Sequence, residues 1–283
     1  MSTPGLFVSD LHGRTERYET LLATIARERP AAVFLGGDLL PFGGAGCGED
    51  DFLIEWLGPR LSDVRARLGP DYPRVLAIFG NDDPRGAAPA LSQLEAPGLL
   101  QHAPGRRLVV AGVPVYGYAC VPPTPFALKD WERYDVSRFV DPGSISPEGG
   151  LRSVPVPEAD ARWGTIASDL DGLVGSEDAS GAVFLFHAPP YRTLLDRAAL
   201  DGKAVDHAPL DVHVGSIAIR RFIEARQPRA TLHGHVHESA RLTGAWQDRI
   251  GRTVCLSAAH DGPELALVRF DLESPGSATR DLI

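Results

Sequence analysis

Five short apolar runs in this chain end in aspartate, asparagine or histidine, and that repetition constrains the fold more than any other feature. LFVS (residues 6–9) leads into Asp10-Leu11-His12, AVFL (32–35) into Gly36-Gly37-Asp38, and VLAIF (75–79) into Gly80-Asn81-Asp82-Asp83. Further on, AVFLF (182–186) leads into His187, and ATL (230–232) opens into His233-Gly234-His235-Val236-His237. Short β-branched and aromatic runs bounded by turn-forming residues read as strands. Open α/β sheets place ligands beyond the carboxyl ends of their strands, so five such ends can meet at one spot. Glycines 36, 37, 80 and 234 let the backbone turn sharply and come close to a ligand.

Four more runs read as strands: residues 108–111, 113–117, 253–257 and 265–270. Between the early strands, residues 15–29 place Tyr18, Leu21, Leu22 and Ile25 on one face at helical period. Residues 50–68 do the same, opened by acidic residues that suit a helix N-terminus. Residues 158–173 and 216–226 also read as helices. Strands alternating with helices imply a layered α/β fold with crossover connections. Two stretches break the rhythm: a Gly-rich loop at 41–49 and a long Pro/Gly-rich segment at 120–157. The expectation is a single domain over residues 1–283, carrying the second stretch as an inserted flap.

Composition narrows the class. Three cysteines (Cys47, Cys120 and Cys255) lie far apart and form no CxxC pair, which argues against disulfides and thiolate zinc sites. With 28 basic against 37 acidic residues the net charge is −9, and the basic clusters are short. A nucleic-acid groove normally shows a basic excess, so nucleic acid is not the expected partner. No apolar run is long enough to span a bilayer, and the N-terminus lacks a basic segment leading into an apolar core. The expected location is cytoplasmic, with no membrane partner.

Imidazole, carboxylate and one side-chain amide, without thiolate, suit Mn, Fe, Zn, Ni or Co rather than Ca, which prefers oxygen alone. Asp10, His12, Asp38, Asn81, His187, His235 and His237 are too many for one tetrahedral ion. They suit two ions sharing a carboxylate bridge, roughly 3.5–4 Å apart. His235 and His237 alternate in one tight loop and reach neighbouring ions, which leaves His233 to support or packing.

Asp10-Leu11-His12, Gly37-Asp38, Gly80-Asn81, His187 and Gly234-His235-Val236-His237, in this order, resemble the calcineurin-like metallophosphoesterase superfamily. The resemblance implies a four-layer α/β/β/α sandwich with two mixed β-sheets. It implies one ion on Asp10, His12, Asp38 and His237, and a second on Asp38, Asn81, His187 and His235. It further implies hydrolysis of a phosphodiester or phosphomonoester of a small or nucleotide-like substrate, through a hydroxide bridging two divalent ions such as manganese. Relatives often carry histidine after the asparagine, near the leaving group; this chain has Asp82 there. Asp82 is therefore read as a catalytic residue beside Asn81, either protonating the leaving group or serving as a supporting carboxylate. Arg14 is a candidate for binding a substrate phosphate oxygen. His207 and His213 could line the substrate mouth, and Lys129, Trp131 and Arg133 either grip a base or sugar or, for Trp131, anchor the flap. The competing reading is a metallophosphoesterase-like scaffold with weak catalysis that serves interactions, although such scaffolds typically lose ligands and this chain keeps all seven.

Overall fold

The computed structural model describes residues 2–41 and 52–283. Most of the Gly-rich 41–49 loop, the first two residues of the expected 50–68 helix and Cys47 lie outside the described residues.

Two six-stranded mixed sheets form the frame. The first contains β1 (Pro4–Val8), β2 (Ala32–Gly36), β3 (Arg74–Ile78), β4 (Gln101–His102), β13 (Ala266–Asp271) and β14 (Thr279–Leu282), in the order β14-β13-β1-β2-β3-β4. The second contains β5 (Arg107–Val110), β6 (Val113–Tyr118), β7 (Val183–Phe186), β10 (Ala230–His233), β11 (Gln247–Ile250) and β12 (Thr253–Ser257), in the order β11-β12-β10-β7-β6-β5. A small hairpin, β8 (Ala204–Val205) with β9 (Ala208–Pro209), stands apart.

Central strands are mostly apolar, because both of their faces are covered. Every residue of β2, β7, β10 and β12 is buried. Peripheral strands β5, β11 and β14 carry charged residues and expose part of their length, which discourages edge-to-edge pairing. On the outer side of the first sheet, helices α1 (Thr15–Glu28) and α2 (Gly58–Leu68) pack together. On the second, α5 (Ile166–Val174) packs against α6 (Ile217–Arg226). The sheets meet through β2 with β7 and β3 with β6, completing the expected four-layer α/β/β/α sandwich.

The parallel register carries the ligand residues to one edge. Val8 pairs with Leu35, and Leu35 with Ala77, so the chain leaves β1, β2 and β3 at the same level. In the other sheet Leu185 pairs with Leu232, and Leu232 with Leu256.

Two sequence expectations need correction. Residues 158–173 do not form one helix: α4 (Glu158–Trp163) ends at Gly164, and Thr165 caps α5 by accepting from the Ser168 N–H. Within residues 50–68, Phe52–Leu57 form a π-helical turn, and α2 begins at Gly58-Pro59. A proline there has no N–H to continue the preceding ladder. Strands β4, β8, β9, β11 and β14, and helices α3 (Ala88–Glu95) and α7 (Ser239–Thr243), carried no clear periodic signal because they are short or peripheral.

The 120–157 stretch contains no helix or extended strand pairing, yet it is firmly packed. Tyr134 is buried, and Lys129 and Glu132 form a fully buried ion pair to which Thr124 adds its backbone carbonyl and hydroxyl. Trp131 packs at a tilt against Phe79 and lies under the Arg85 guanidinium. Asp130 accepts from the Arg85 and Ser153 N–H groups, and Asp135 accepts from Ser216, Ile217 and Ala218 at the start of α6. The segment thus ties the loop after β3 to the loop after β7.

Candidate metal centre

The loops after β1 and β2 are laced together by backbone bonds from Asp10 to Gly37, His12 to Asp38 and Gly13 to Leu39. This lacing bends the chain into conformations ordinary residues avoid. Asp10 (φ 57), His12 (φ 47) and Asp38 (φ 51) sit in the left-handed region, and so does His235 (φ 73) in the loop after β10. Each such residue costs on the order of 1–3 kcal/mol, and strain of this kind collects where function holds it. Gly80 is forced by proximity instead, since a Cβ there would come within 2.6 Å of His187 Nε2 and of the Asp38 N.

Around these turns the donor atoms converge. Asp10, His12, Asp38 and His237 each offer one atom to a group lying within 4.8 Å of one another. His237 Nε2 is 3.3 Å from Asp10 Oδ1 and 3.3 Å from His12 Nε2. Beside them, His187 Nε2 is 3.2 Å from both Asp38 Oδ2 and Asn81 Oδ1. The His235 ring lies 5.2 Å from the His187 ring, and its backbone N–H donates to Asp10 Oδ1. Metal–ligand bonds of about 2.0–2.1 Å place neighbouring donors roughly 3.0–3.4 Å apart, so the spacing matches donors sharing an ion. A buried orphan points the same way: Asp10 Oδ2 has no hydrogen-bond partner. Leaving a carboxylate oxygen so placed is costly unless a cation takes it. Asp10, His12, Asp38 and His237 fit a divalent ion, and Asp38 also meets His187 beside Asn81.

The local charge has the same character. Burial pushes the Asp10 carboxyl up, but the hydrogen bond and charge of His237, with His187 and His12, bring it below the usual range. Burial also opposes the His187 imidazolium, yet the Asp38 charge and hydrogen bond, with Asp10 and the Gly36 carbonyl, lift it to about 10. Its Nδ1 faces that Gly36 carbonyl at 2.8 Å, which fixes the tautomer and aims Nε2 at Asp38 and Asn81. Buried His235 is pushed down to about 3 by burial and by His187.

Asp82 lies at the rim of this group. Its Oδ1 accepts from the Asn81 amide at 2.8 Å, and Oδ2 is 3.9 Å from His12 Nδ1. Burial and the Asp38 charge raise its carboxyl to about 7. Arg14 is exposed at the entry to α1, and its side chain makes a 3.5 Å bond to the Gly262 carbonyl. His233 is buried away from the donor group, stacked on Phe186 and bonded to the Ala188 carbonyl and Thr231. His207 is exposed in the β8–β9 turn. Lys129 and Trp131 are buried, and Arg133 is engaged by Asp160 and Asp169, so none of the three presents a grip for base or sugar.

Two supporting residues escaped sequence reasoning. Arg17 is buried and donates to the Asp10 and Gly262 carbonyls, bracing the first ligand loop. Its signal was an arginine on the apolar face of α1, four residues before Leu21. Asp83 is fully buried and accepts from the N–H groups of Leu39, Leu40 and Gly80, joining the Asp38 loop to the Asn81 loop. Burial and the Asp38 charge raise its carboxyl to about 8, against the pull of those three donors. Nothing in the sequence separates its role from that of Asp82.

A family model of calcineurin-like phosphoesterases matches residues 4–239. The chain belongs to this family. One solved structure aligns over 100% of this chain and 99% of its own, at 15% identity and TM-score 0.62. Another, TT1561 of Thermus thermophilus, aligns over 100% and 99%, at 15% identity and TM-score 0.56. At such identities the likeness speaks for the fold. No curated protein matches the chain. No helix among the described residues of this calcineurin-like phosphoesterase is long and apolar enough to cross a membrane.

Proposed function

We propose that this protein is a dinuclear metal-dependent phosphoesterase hydrolysing a phosphodiester or phosphomonoester of a small or nucleotide-like substrate. The observation that carries this reading is the shared carboxylate: Asp38 belongs to the Asp10–His12–His237 group and also lies 3.2 Å from His187, beside Asn81. Asp10, His12, Asp38 and His237 would hold one ion, and Asp38, Asn81, His187 and His235 the other. Their nitrogen and oxygen donors suit Mn, Fe, Zn, Ni or Co. When bound, two such ions acidify a water and neutralise charge developing on the phosphoryl oxygens.

The chain's own residues do the rest. Gly36 and Asp10 fix the presentation of His187 and His235 through the bonds described above. Asp82 orients the Asn81 amide, so that Asn81 Oδ1 faces His187. Arg14, exposed at the entry to α1, would meet an outer phosphate oxygen. The net charge of −9 supports a compact substrate over a polyanion.

The scaffold alternative has to explain why seven donor side chains and four left-handed turns coexist at one edge. The test is a panel of phosphomono- and phosphodiesters with Mn, Ni, Co, Fe or Zn supplied, run beside metal analysis. Turnover with about two ions per chain, reduced to one or none in Asp38→Ala, is expected. No turnover with any metal would favour the scaffold.

A further inference from the structure

We propose that His213, held by Asp196, gives a proton to the leaving group of the phosphoester, an assignment that rests on the hydrolytic reading above. A histidine after the asparagine of the third ligand loop is missing here, and Asp82 stands in that place. Asp82 is arranged as an acceptor: one oxygen takes the Asn81 amide and the other faces His12. Both Asp82 oxygens are thus turned to the ligand set, and a group outside that set can serve the leaving group instead.

Asp196 is fully buried and immobilised by backbone donors. Its Oδ1 accepts from the Thr193 N–H at 2.9 Å, and its Oδ2 from the Arg192 N–H at 2.8 Å and the Gly215 N–H at 3.2 Å. The remaining capacity of Oδ1 is taken by His213 Nδ1 at 2.9 Å. With Nδ1 donating to Asp196, Nε2 is the nitrogen presented outward, and the side chain keeps 28% of its surface exposed. A buried carboxylate fixing one nitrogen while the other faces solvent is the arrangement a proton donor requires.

The dyad is also joined by hydrogen bonds to the residues that follow His187 and His237. The Ser216 N–H donates to the Pro189 carbonyl and the Tyr191 N–H to the Ser216 carbonyl, tying the His213 strand to residues just beyond His187. Gly215 makes this approach possible, since a Cβ there would come within 2.7 Å of the Pro189 carbonyl oxygen. On the other side, Arg197 bridges to His213 and donates its N–H to Ser239, and the Ala199 N–H donates to Glu238. Glu238 and Ser239 directly follow His237. His213 thus lies in a segment strapped to the chain just beyond both candidate ligands. The groups facing it are Asp196, Asp211, which binds both its N–H and the Tyr191 hydroxyl, the Tyr191 ring and Arg192 stacked on that ring.

In the step assigned to it, a water oxygen forms the new P–O bond while the P–O bond to the leaving group breaks. The bond's electron pair goes to the leaving oxygen, which takes the Nε2 proton. The water's surplus proton passes to solvent, and the neutral imidazole regains one from solvent.

The test is a series of phosphodiesters differing only in leaving-group acidity, turned over by metal-loaded wild type and His213→Gln, with metal content measured for both. We expect about a 100-fold loss in kcat for an alkyl leaving group, the lower end of what general acids contribute, shrinking to a few-fold for p-nitrophenol. The metal content stays equal. Should His213→Gln not fold, added imidazole is expected to restore alkyl-ester turnover to His213→Ala in proportion to its concentration. A loss equal across the series, no loss at all, or no rescue would overturn the assignment while leaving the hydrolytic reading intact. Absence of wild-type turnover on every ester would remove both.

Discussion

Replacing Asp83 tests whether the two ligand loops are joined as described. Its carboxylate takes three buried backbone N–H groups: Leu39 at 2.9 and 3.0 Å to its two oxygens, Leu40 at 2.8 Å and Gly80 at 2.8 Å. In Asp83→Ala all three donors lose their partner. Each unsatisfied buried donor costs about 1–3 kcal/mol, so the gross penalty is about 3–9 kcal/mol. Two effects reduce it: water can enter the vacated space, and removing the carboxyl relieves its burial beside the Asp38 charge. A net loss of about 3–5 kcal/mol is expected, a large share of a typical total stability of about 5–15 kcal/mol. Asp83→Asn keeps one acceptor oxygen and is expected to lose about 1–3 kcal/mol. Urea unfolding of the metal-free protein measures both. Metal titration adds a second readout, because Asp38 and Asn81 ride on the loops released, and both variants are expected to bind metal more weakly. A loss below about 1 kcal/mol in Asp83→Ala would refute the idea that this carboxylate fixes the loops.

Two other substitutions probe parts of the fold away from the ions. Lys129→Met leaves the Glu132 carboxylate buried without its ion partner, although Thr124 still donates to it, and should cost about 3–5 kcal/mol by chemical denaturation. The double variant Lys129→Met with Glu132→Leu should recover much of that loss, and no recovery would contradict the desolvation argument. Burial lowers His102 from 6.5 to about 4, against the pull of Glu95. The unfolded chain therefore binds the extra proton between those values, and stability falls as pH drops from about 6.5 to 4. Comparing unfolding at about pH 7 and about pH 5, His102→Gln should lose less stability than wild type; an equal loss would show that His102 contributes nothing to the acid sensitivity.

That these polar residues would cluster could be read from order alone, because strand ends are visible as apolar runs meeting polar residues. Asp10, Asp38, Asn81 and His187 each follow a run buried on both faces, and the structure brings all four to one edge. The supporting residues were less visible. Arg17 donates to, and Asp83 accepts from, backbone groups of other loops, and such bonds leave no periodic trace. The break at Gly164 was hidden because the apolar spacing continues across it, while the cap at Thr165 depends on where Tyr134 and Asp135 hold the chain. Lys129 misled for a related reason: a lysine in a Pro-rich loop looks solvent-facing until its carboxylate partner is found three residues on, inside the fold.

The sequence by itself determined the layered architecture, the family and the chemical type of the donors, since these follow from local patterning and residue identity. Only the tertiary structure decided which nitrogen of His187 faces Asp38, that Asp10, His12, Asp38 and His235 take left-handed turns, and that Asp196 holds His213. The physical reason is that side-chain direction and hydrogen-bond partner depend on segments far apart in the chain. Strands separated by long stretches of sequence meet in register, and neither the meeting nor the strain it imposes is written in any one window of sequence.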